Sequence, residues 1–400
     1  MLIKNYNSTY LIISRFINLL GSGIYNISIP LYLLNNTGSI VKTSIFFSSI
    51  QIPMIILLPF LGVWIEKYNL KYCLVVSNLI SLFLFLSLLL FLSEGDFQYY
   101  VLLVLSALGN ICSSVFDIAS QSIFVRLIAQ DKIERVNGIK SLTDNLSYLI
   151  SPTLGTIIYG VLGIYATIII NVLSYLFSVL FLSFLRYPKY EKAIKESRVF
   201  RECFIDGVKI IQTDKKLCML FLLVMILNFL VSPTEEVFSP GIMKTVHHFS
   251  DELYGLSSSA VSAGIIAASV WIGYKGKGKK SIKTYFYIQS ILMIGTGCFS
   301  FIMLDRYSTL FYMLYLFLSF LCGFYSTFIN VPLISHFQIA VAPDYQTRFF
   351  SLLKFSSYLM IPFGTIFAGQ LSAYFRSDIA YTINGFIMAI AVFLMFRKIE

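Results

Sequence analysis

Apolar runs of about twenty residues, separated by short basic patches, recur along this chain from end to end. A run of that length crosses a hydrocarbon core of roughly 30 Å as a helix. Inside lipid every backbone polar group must find a partner within the fold, which leaves helices and closed barrels as the spanning structures. The stretch "LLPFLGVWIEKYNLKYCLVV" (57–76) shows the pattern in miniature: two apolar runs meet at a knot of Glu66, Lys67, Asn69 and Lys71. Only 12% of the 400 residues are charged, about half the share usual in soluble proteins. The chain therefore reads as an all-α, polytopic membrane protein whose solvent is the lipid bilayer.

The runs number about twelve, near 10–34, 43–65, 72–93, 99–124, 138–160, 163–185, 216–238, 254–274, 282–304, 308–334, 350–372 and 379–396. An even number puts both termini on one side, and charge chooses the side. With the N-terminus in the cytoplasm, 25 of the 30 Lys and Arg residues fall on the inner face and 4 on the outer, with Arg15 inside the first run. That bias follows the positive-inside rule. The net charge of +10 thus reflects topology, because the basic residues are not gathered on a module for nucleic acid. The expected location is the cell membrane, with both termini cytoplasmic. The first apolar run is too long for the core of a cleavable signal peptide. Six cysteines without CxxC spacing read as packing residues.

The longest polar stretch, Arg186 to Lys216, follows the sixth run. It divides the chain into an N-terminal bundle (1–185), a cytoplasmic linker (186–215) and a C-terminal bundle (216–400). Its mixed charges suit partly amphipathic helix or solvated linker drawn to anionic lipid. A repeat follows the same division. "AQDKIERVNGIKS" (129–141) and "APDYQTRFFSLLK" (342–354) share Ala129 with Ala342, Asp131 with Asp344 and Arg135 with Arg348. Each leads into a helix carrying a proline, Pro152 or Pro362. Two parallel six-span halves are one architecture of membrane transporters.

Between the second and third runs stand Gly62, Glu66, Lys67, Asn69, Lys71 and Tyr72. The pattern resembles the loop signature of the major facilitator superfamily: Gly, three residues, an acid, a base, any residue, Gly, any residue, two bases. Glu66 replaces the usual Asp, Asn69 the second Gly and Tyr72 the last base. Asn tolerates a left-handed backbone better than most residues, so the turn is expected to survive the exchange. Stretches 14–39 and 122–141 are similar to the macrolide-efflux and enterobactin-exporter branch. "SPTLGTIIYG" (151–160) is similar to a fifth-span exporter motif, Gly-Pro-x-x-Gly-Gly, with Ser151 and Thr156 in place of two glycines. The resemblance implies twelve transmembrane helices in two pseudo-symmetric six-helix bundles. It also implies proton-coupled export of a small organic compound by alternating access. Gly62, Glu66, Lys67, Lys71, Asp131 and Arg135 are then a conformational latch favouring one state of the cycle.

Three ionisable residues fall within apolar runs of the first half. Arg15, Asp117 and Asp144 lie about five, seven and six residues from the inner ends of runs one, four and five, roughly 7–10 Å deep at about 1.5 Å per residue. Such groups are costly in lipid and face a cavity or a partner. Each belongs to a polar stripe at helical spacing: Arg15, Asn18, Ser22 and Asn26; Asn110, Ser114, Asp117 and Gln121; Ser141, Asp144, Asn145, Tyr148 and Ser151. Asn18, Ser22, Asn26, Asn110, Gln121 and Tyr148 are the substrate-cavity candidates, and Arg15, Asp117 and Asp144 the proton-coupling candidates. Burial disfavours an ionised carboxylate and an adjacent arginine favours it, so a pairing that changes during transport binds and releases a proton. A permanent salt bridge holding helices in register is the competing reading.

In the second half, Glu235 and Glu236 follow Pro233 and read as helix-end charges or as part of a cation or substrate route. His247 and His248 read as an outer-loop pair, Lys354 as a side chain snorkelling to the inner surface, and His336 as a boundary residue. "GYKGKGKK" (273–280) lacks the Ser/Thr and strand of a phosphate loop, and no GxxxxGK(S/T), HExxH or GxSxG occurs. Neither ATP-driven transport nor catalysis is expected, and no cofactor or metal. The expected partners are a small-molecule substrate, protons and lipid, without nucleic acid, for a monomer. An antibiotic or a secreted metabolite such as a siderophore suits export; a nutrient importer and a polytopic lipid enzyme are the alternatives.

Overall fold

The computed structural model describes residues 6–37, 40–93, 98–128, 130–187, 214–249, 251–276, 281–303 and 308–397. The described residues form helices joined by short turns: α1 (Tyr6–Thr37), α2 (Ile40–Glu66), α3 (Leu70–Ser93) and α4 (Tyr99–Leu127). A continuous helical element, Ile133–Ser183, holds two spans, α5 over 133–162 and α6 over 164–183. They are divided at Gly163, whose φ of 76° and ψ of −174° glycine alone adopts cheaply. Then come α7 (Lys215–Leu230), α8 (Asp251–Lys275), α9 (Ile282–Ile302), α10 (Ser308–Ala340), α11 (Gln346–Tyr374) and α12 (Ser377–Arg397).

Ten elements among the described residues are long and apolar enough to cross a membrane, one of them the double span at 130–183. The remaining helix, α7, has only 16 residues. The sequence predicts a seventh span running to 238. Pro233 cuts its α-helical part short, because its ring removes an amide donor and collides with the preceding turn. The chain continues as two π-helical turns, Thr234–Phe238 and Gly241–Val246. With α7 so extended, the fold is a twelve-helix, all-α membrane architecture.

Two compact units result. The first comprises Met1–Ile133, Thr143–Gly207 and Val341–Phe355; the second Glu134–Leu142, Val208–Ala340 and Ser356–Glu400. The repeated segments of the sequence thus trade places: the start of α5 belongs to the second unit and the start of α11 to the first. Most of the linker expected at 186–215 lies outside the described residues.

Lipid tails are as apolar as leucine, so packing and interhelical hydrogen bonds hold each unit together. In the first, Tyr25, Phe85, Ile168 and Tyr175 belong to one buried cluster, with Tyr25 edge-on to Phe85 at 4.8 Å. Beside it runs a polar relay. Asn18 Nδ2 donates to Asn78 Oδ1 at 2.7 Å, Asn78 Nδ2 donates to Ser178 Oγ at 2.7 Å, and Ser178 shares a bond with Ser14 at 2.7 Å. The relay ties α1, α3 and α6, each bond contributing about 0.6 kcal/mol on average. In the second unit α8 and α10 touch backbone to backbone. A Cβ on Gly264 would stand 2.0 Å from Phe320 O, and one on Gly323 would stand 2.1 Å from Val261 O.

The α2–α3 turn departs from expectation. Among described non-glycine residues, positive φ occurs at His248 and not at Asn69. Asn69 instead caps α3, its Oδ1 accepting the Lys71 amide at 2.9 Å.

Candidate functional site

One charge network lies within the first unit. Arg15 on α1, only 5% exposed, donates from Nη1 to Asp117 Oδ1 on α4 and from Nε to Asp144 Oδ1 on α5, both at 2.8 Å. Two edges of one planar guanidinium thereby serve two carboxylates. Lys354, on the part of α11 that belongs to this unit, donates from Nζ to the other oxygen of Asp117 at 3.1 Å. Two cations and two anions balance. Asp117 joins both cations and is the more accessible acid, its side chain 26% exposed against 14% for Asp144. Lys354 does not simply snorkel to the surface, because the Asp117 carboxylate holds its ammonium inside the bundle. The one sequence signal for this role was a lone lysine inside an apolar helix.

The substrate-cavity candidates do not gather in one place. Asn18 is buried in the α1–α3–α6 relay. Ser22 Oγ lies 3.2 Å from Tyr175 OH and 3.5 Å from Asn171 Oδ1, toward α6. Asn110 donates to Ile50 O on α2 at 3.2 Å. Asn26 and Tyr148 are exposed, and Gln121 is half-buried.

The latch candidates also separate. Glu66, at the end of α2, pairs with Arg348 at the start of α11, within the first unit. One turn earlier a Cβ on Gly62 would meet Ser351 Oγ at 2.1 Å and Thr347 O at 2.7 Å, so only glycine admits this approach. Lys71 Nζ donates to Ser183 O at 3.0 Å and Leu185 O at 2.7 Å, closing the C-terminus of α6 as cations do. Lys67 and Asp131 are exposed. Arg135 lies in the second unit, donating to Gly273 O near the end of α8 at 2.8 Å. The repeat is visible here. Arg348 reaches the end of the second helix and Arg135 the end of the eighth.

The second unit contains a cavity of about 290 Å3 bordered by α7, α8, α9, α10 and α12. Its described lining includes Asn228, Thr234, Gln289, Tyr315 and Tyr381 and carries no charged side chain. Charge in this unit lies elsewhere. Arg376 donates to buried Asp378 at 2.9 and 2.7 Å. Ser300 Oγ donates to Asp378 at 3.4 Å and lies 2.9 Å from His247 Nε2. His247 stacks on Phe311, ring centres 3.9 Å apart. Pairing of His247 with a residue 131 positions away, through Ser300, left no local trace in the sequence. The side chains of Glu235 and Glu236 lie outside the description. Among the described residues no group of three His, Cys, Asp or Glu side chains is placed to hold a metal ion.

The family model described as Major Facilitator Superfamily matches residues 11–365. The chain belongs to this superfamily. It is a multi-pass membrane transporter for small molecules. Macrolide efflux protein A of Streptococcus pyogenes is 21% identical to it, across 91% of this chain and 87% of the relative. The MFS-type transporter YvqJ of Bacillus subtilis is 20% identical, across 99% and 93%. Among solved structures, a bacterial homologue of the iron transporter ferroportin superposes with a TM-score of 0.78 at 16% identity, covering 97% of both chains. The E. coli fucose:proton symporter gives 0.74 at 12% identity, covering 99% of this superfamily member and 100% of the symporter. At such identities these structures speak for the fold.

Proposed function

We propose that this chain is a proton-coupled secondary exporter of a small organic compound, working by alternating access in the cell membrane with both termini cytoplasmic. The observation that supports it is the partly buried Arg15–Asp117–Asp144–Lys354 network. With both carboxylates ionised, its charges cancel. A proton arriving on Asp117 leaves Arg15 and Lys354 with one anion between them. Unit charges about 4 Å apart interact by about 4 kcal/mol near a protein surface, enough to loosen Lys354 and the first turns of α11 from α4. Loss of the proton restores the pairing. The Glu66–Arg348 pair and the close approach at Gly62 hold the same part of α11 and act as its latch. A single chain contains the whole network, in keeping with a monomer.

Export, rather than nutrient import, is supported by the relatives named for macrolide efflux. Macrolides and siderophores are therefore the compounds to screen. The test is proton flux into liposomes holding the purified protein. An accepted compound should evoke flux that disappears in Asp117→Asn and Asp144→Asn. Uptake of that compound by inside-out vesicles marks export, whereas extrusion from them marks import. Substrate-driven flux undiminished in both variants would remove the proton role from the network.

A further inference from the structure

The cavity of the second unit has a chemistry of its own. Gln289, on α9, is 3% exposed and lines the cavity, yet its Oε1 has no hydrogen-bond partner. Thr234 Oγ1, in the π-helical turn on another part of the lining, is likewise buried without a partner. A buried polar atom left unpaired costs about 1–3 kcal/mol, so its persistence beside an open volume points to a partner that comes and goes. Neighbouring hydroxyls say what that partner must bring. Ser257 Oγ donates to Tyr254 O at 2.7 Å and Thr296 Oγ1 donates to Leu292 O at 2.8 Å. Each hydroxyl has one proton, already committed, and offers the cavity only lone pairs. The uncommitted Thr234 hydroxyl can give a hydrogen bond as well as take one, while Gln289 Oε1 and the two committed hydroxyls take hydrogen-bond donors. A protonated amine would supply them, but no described lining residue is a carboxylate to offset its desolvation. Hydroxyl groups supply them without charge. Leu227, Val261 and Tyr381 add apolar surface, and a volume of about 290 Å3 suits one ring, at the small end of ligand pockets.

We infer that this cavity binds a neutral, polyhydroxylated ring, either a free sugar or cyclitol or such a ring carried on a larger compound, with Gln289 Oε1 accepting from one of its hydroxyls. The inference deepens the transport reading by naming the substrate's recognised part, and it assigns substrate and proton to different units.

The test is ligand-observed saturation-transfer NMR on the full-length protein in nanodiscs, without any gradient. The neutral probes are methyl glucoside, methyl galactoside and myo-inositol, and the charged counterparts are glucosamine and glucuronate. At least one neutral probe should bind saturably and more tightly than both charged ones. Gln289→Leu should weaken that probe about tenfold, the loss of one hydrogen bond, while the melting temperature stays equal or rises because an unpaired polar group is gone. A Gln289 that served only the fold would lower it instead. Should that variant fail to fold, Gln289→Glu keeps the test alive by shifting preference from the neutral probe to glucosamine. Absence of saturable binding by all three neutral probes, or a wild-type preference for glucosamine, overturns the assignment. Binding without proton flux would leave it standing and sink the coupling instead, so the two failures are separable.

Discussion

The first unit holds four ionisable side chains in one partly buried network, whereas the second lines its cavity with hydroxyls, amides and aromatic rings. The repeat lets the two be compared position by position. Aligning Arg135 with Arg348 sets Ser141 opposite Lys354 and Asp144 opposite Ser357. Lys354 bonds Asp117 in the first unit, while Ser141 accepts from Ser269 Oγ at 3.0 Å in the second. One architectural position thus carries an ion pair in one unit and a neutral hydroxyl pair in the other. The same helical frame tolerates both because each is locally satisfied. The difference suggests a division of labour, with proton chemistry where charges can be rebalanced and recognition of a neutral ligand where none need be.

The largest effects should come from the charged side. Asp117→Asn is expected to abolish proton-driven transport and to cost about 3–5 kcal/mol of stability in detergent, since Arg15 and Lys354 lose their shared anion. Adding Lys354→Met should recover much of that stability but none of the transport. A bridge that merely fixed helix register would let the double variant transport again, so this pair of assays breaks or sharpens the contrast. Next, Glu66→Gln should slow transport about tenfold, for one charge-assisted bond, while equilibrium binding of substrate is unchanged. Gly62→Ala should lower stability by about 1–3 kcal/mol through overpacking against Thr347, read as a fall in melting temperature. The smallest effect belongs to the neutral side: Ser141→Ala should cost about 1 kcal/mol or less and leave the transport rate unaltered.

Much of the fold could be read from the chain alone, because lipid forces apolar helices and charge marks their ends. Depth counted along three helices was enough to set Arg15, Asp117 and Asp144 at one level. What could not be read were partners distant in sequence. Lys354 meets Asp117 across 237 positions and Arg348 meets Glu66 across 282, and no local pattern encodes either pair. The polar stripes divide among several neighbours for a related reason. Asn18 and Ser22 share a helical face with Arg15, yet a face several residues wide meets α3 and α6 as well as α4 and α5. Asn69 was read through the residue it replaces, and its short polar side chain found a capping role instead. Gln289 sits in an apolar run with nothing to distinguish a cavity-lining amide from a satisfied one.

The most direct test of proton binding by the first unit needs no substrate. Infrared difference spectra of the protein in lipid, recorded across a drop in pH, report the carboxyl stretch of any acid that gains a proton. The protonated-carboxyl band should contain a component in the wild type that is missing from the double variant Asp117→Asn/Asp144→Asn, above the signal that the other acidic side chains give in both. A band of the same size in that variant, or a wild-type network still fully ionised where transport runs, would contradict proton binding by this network.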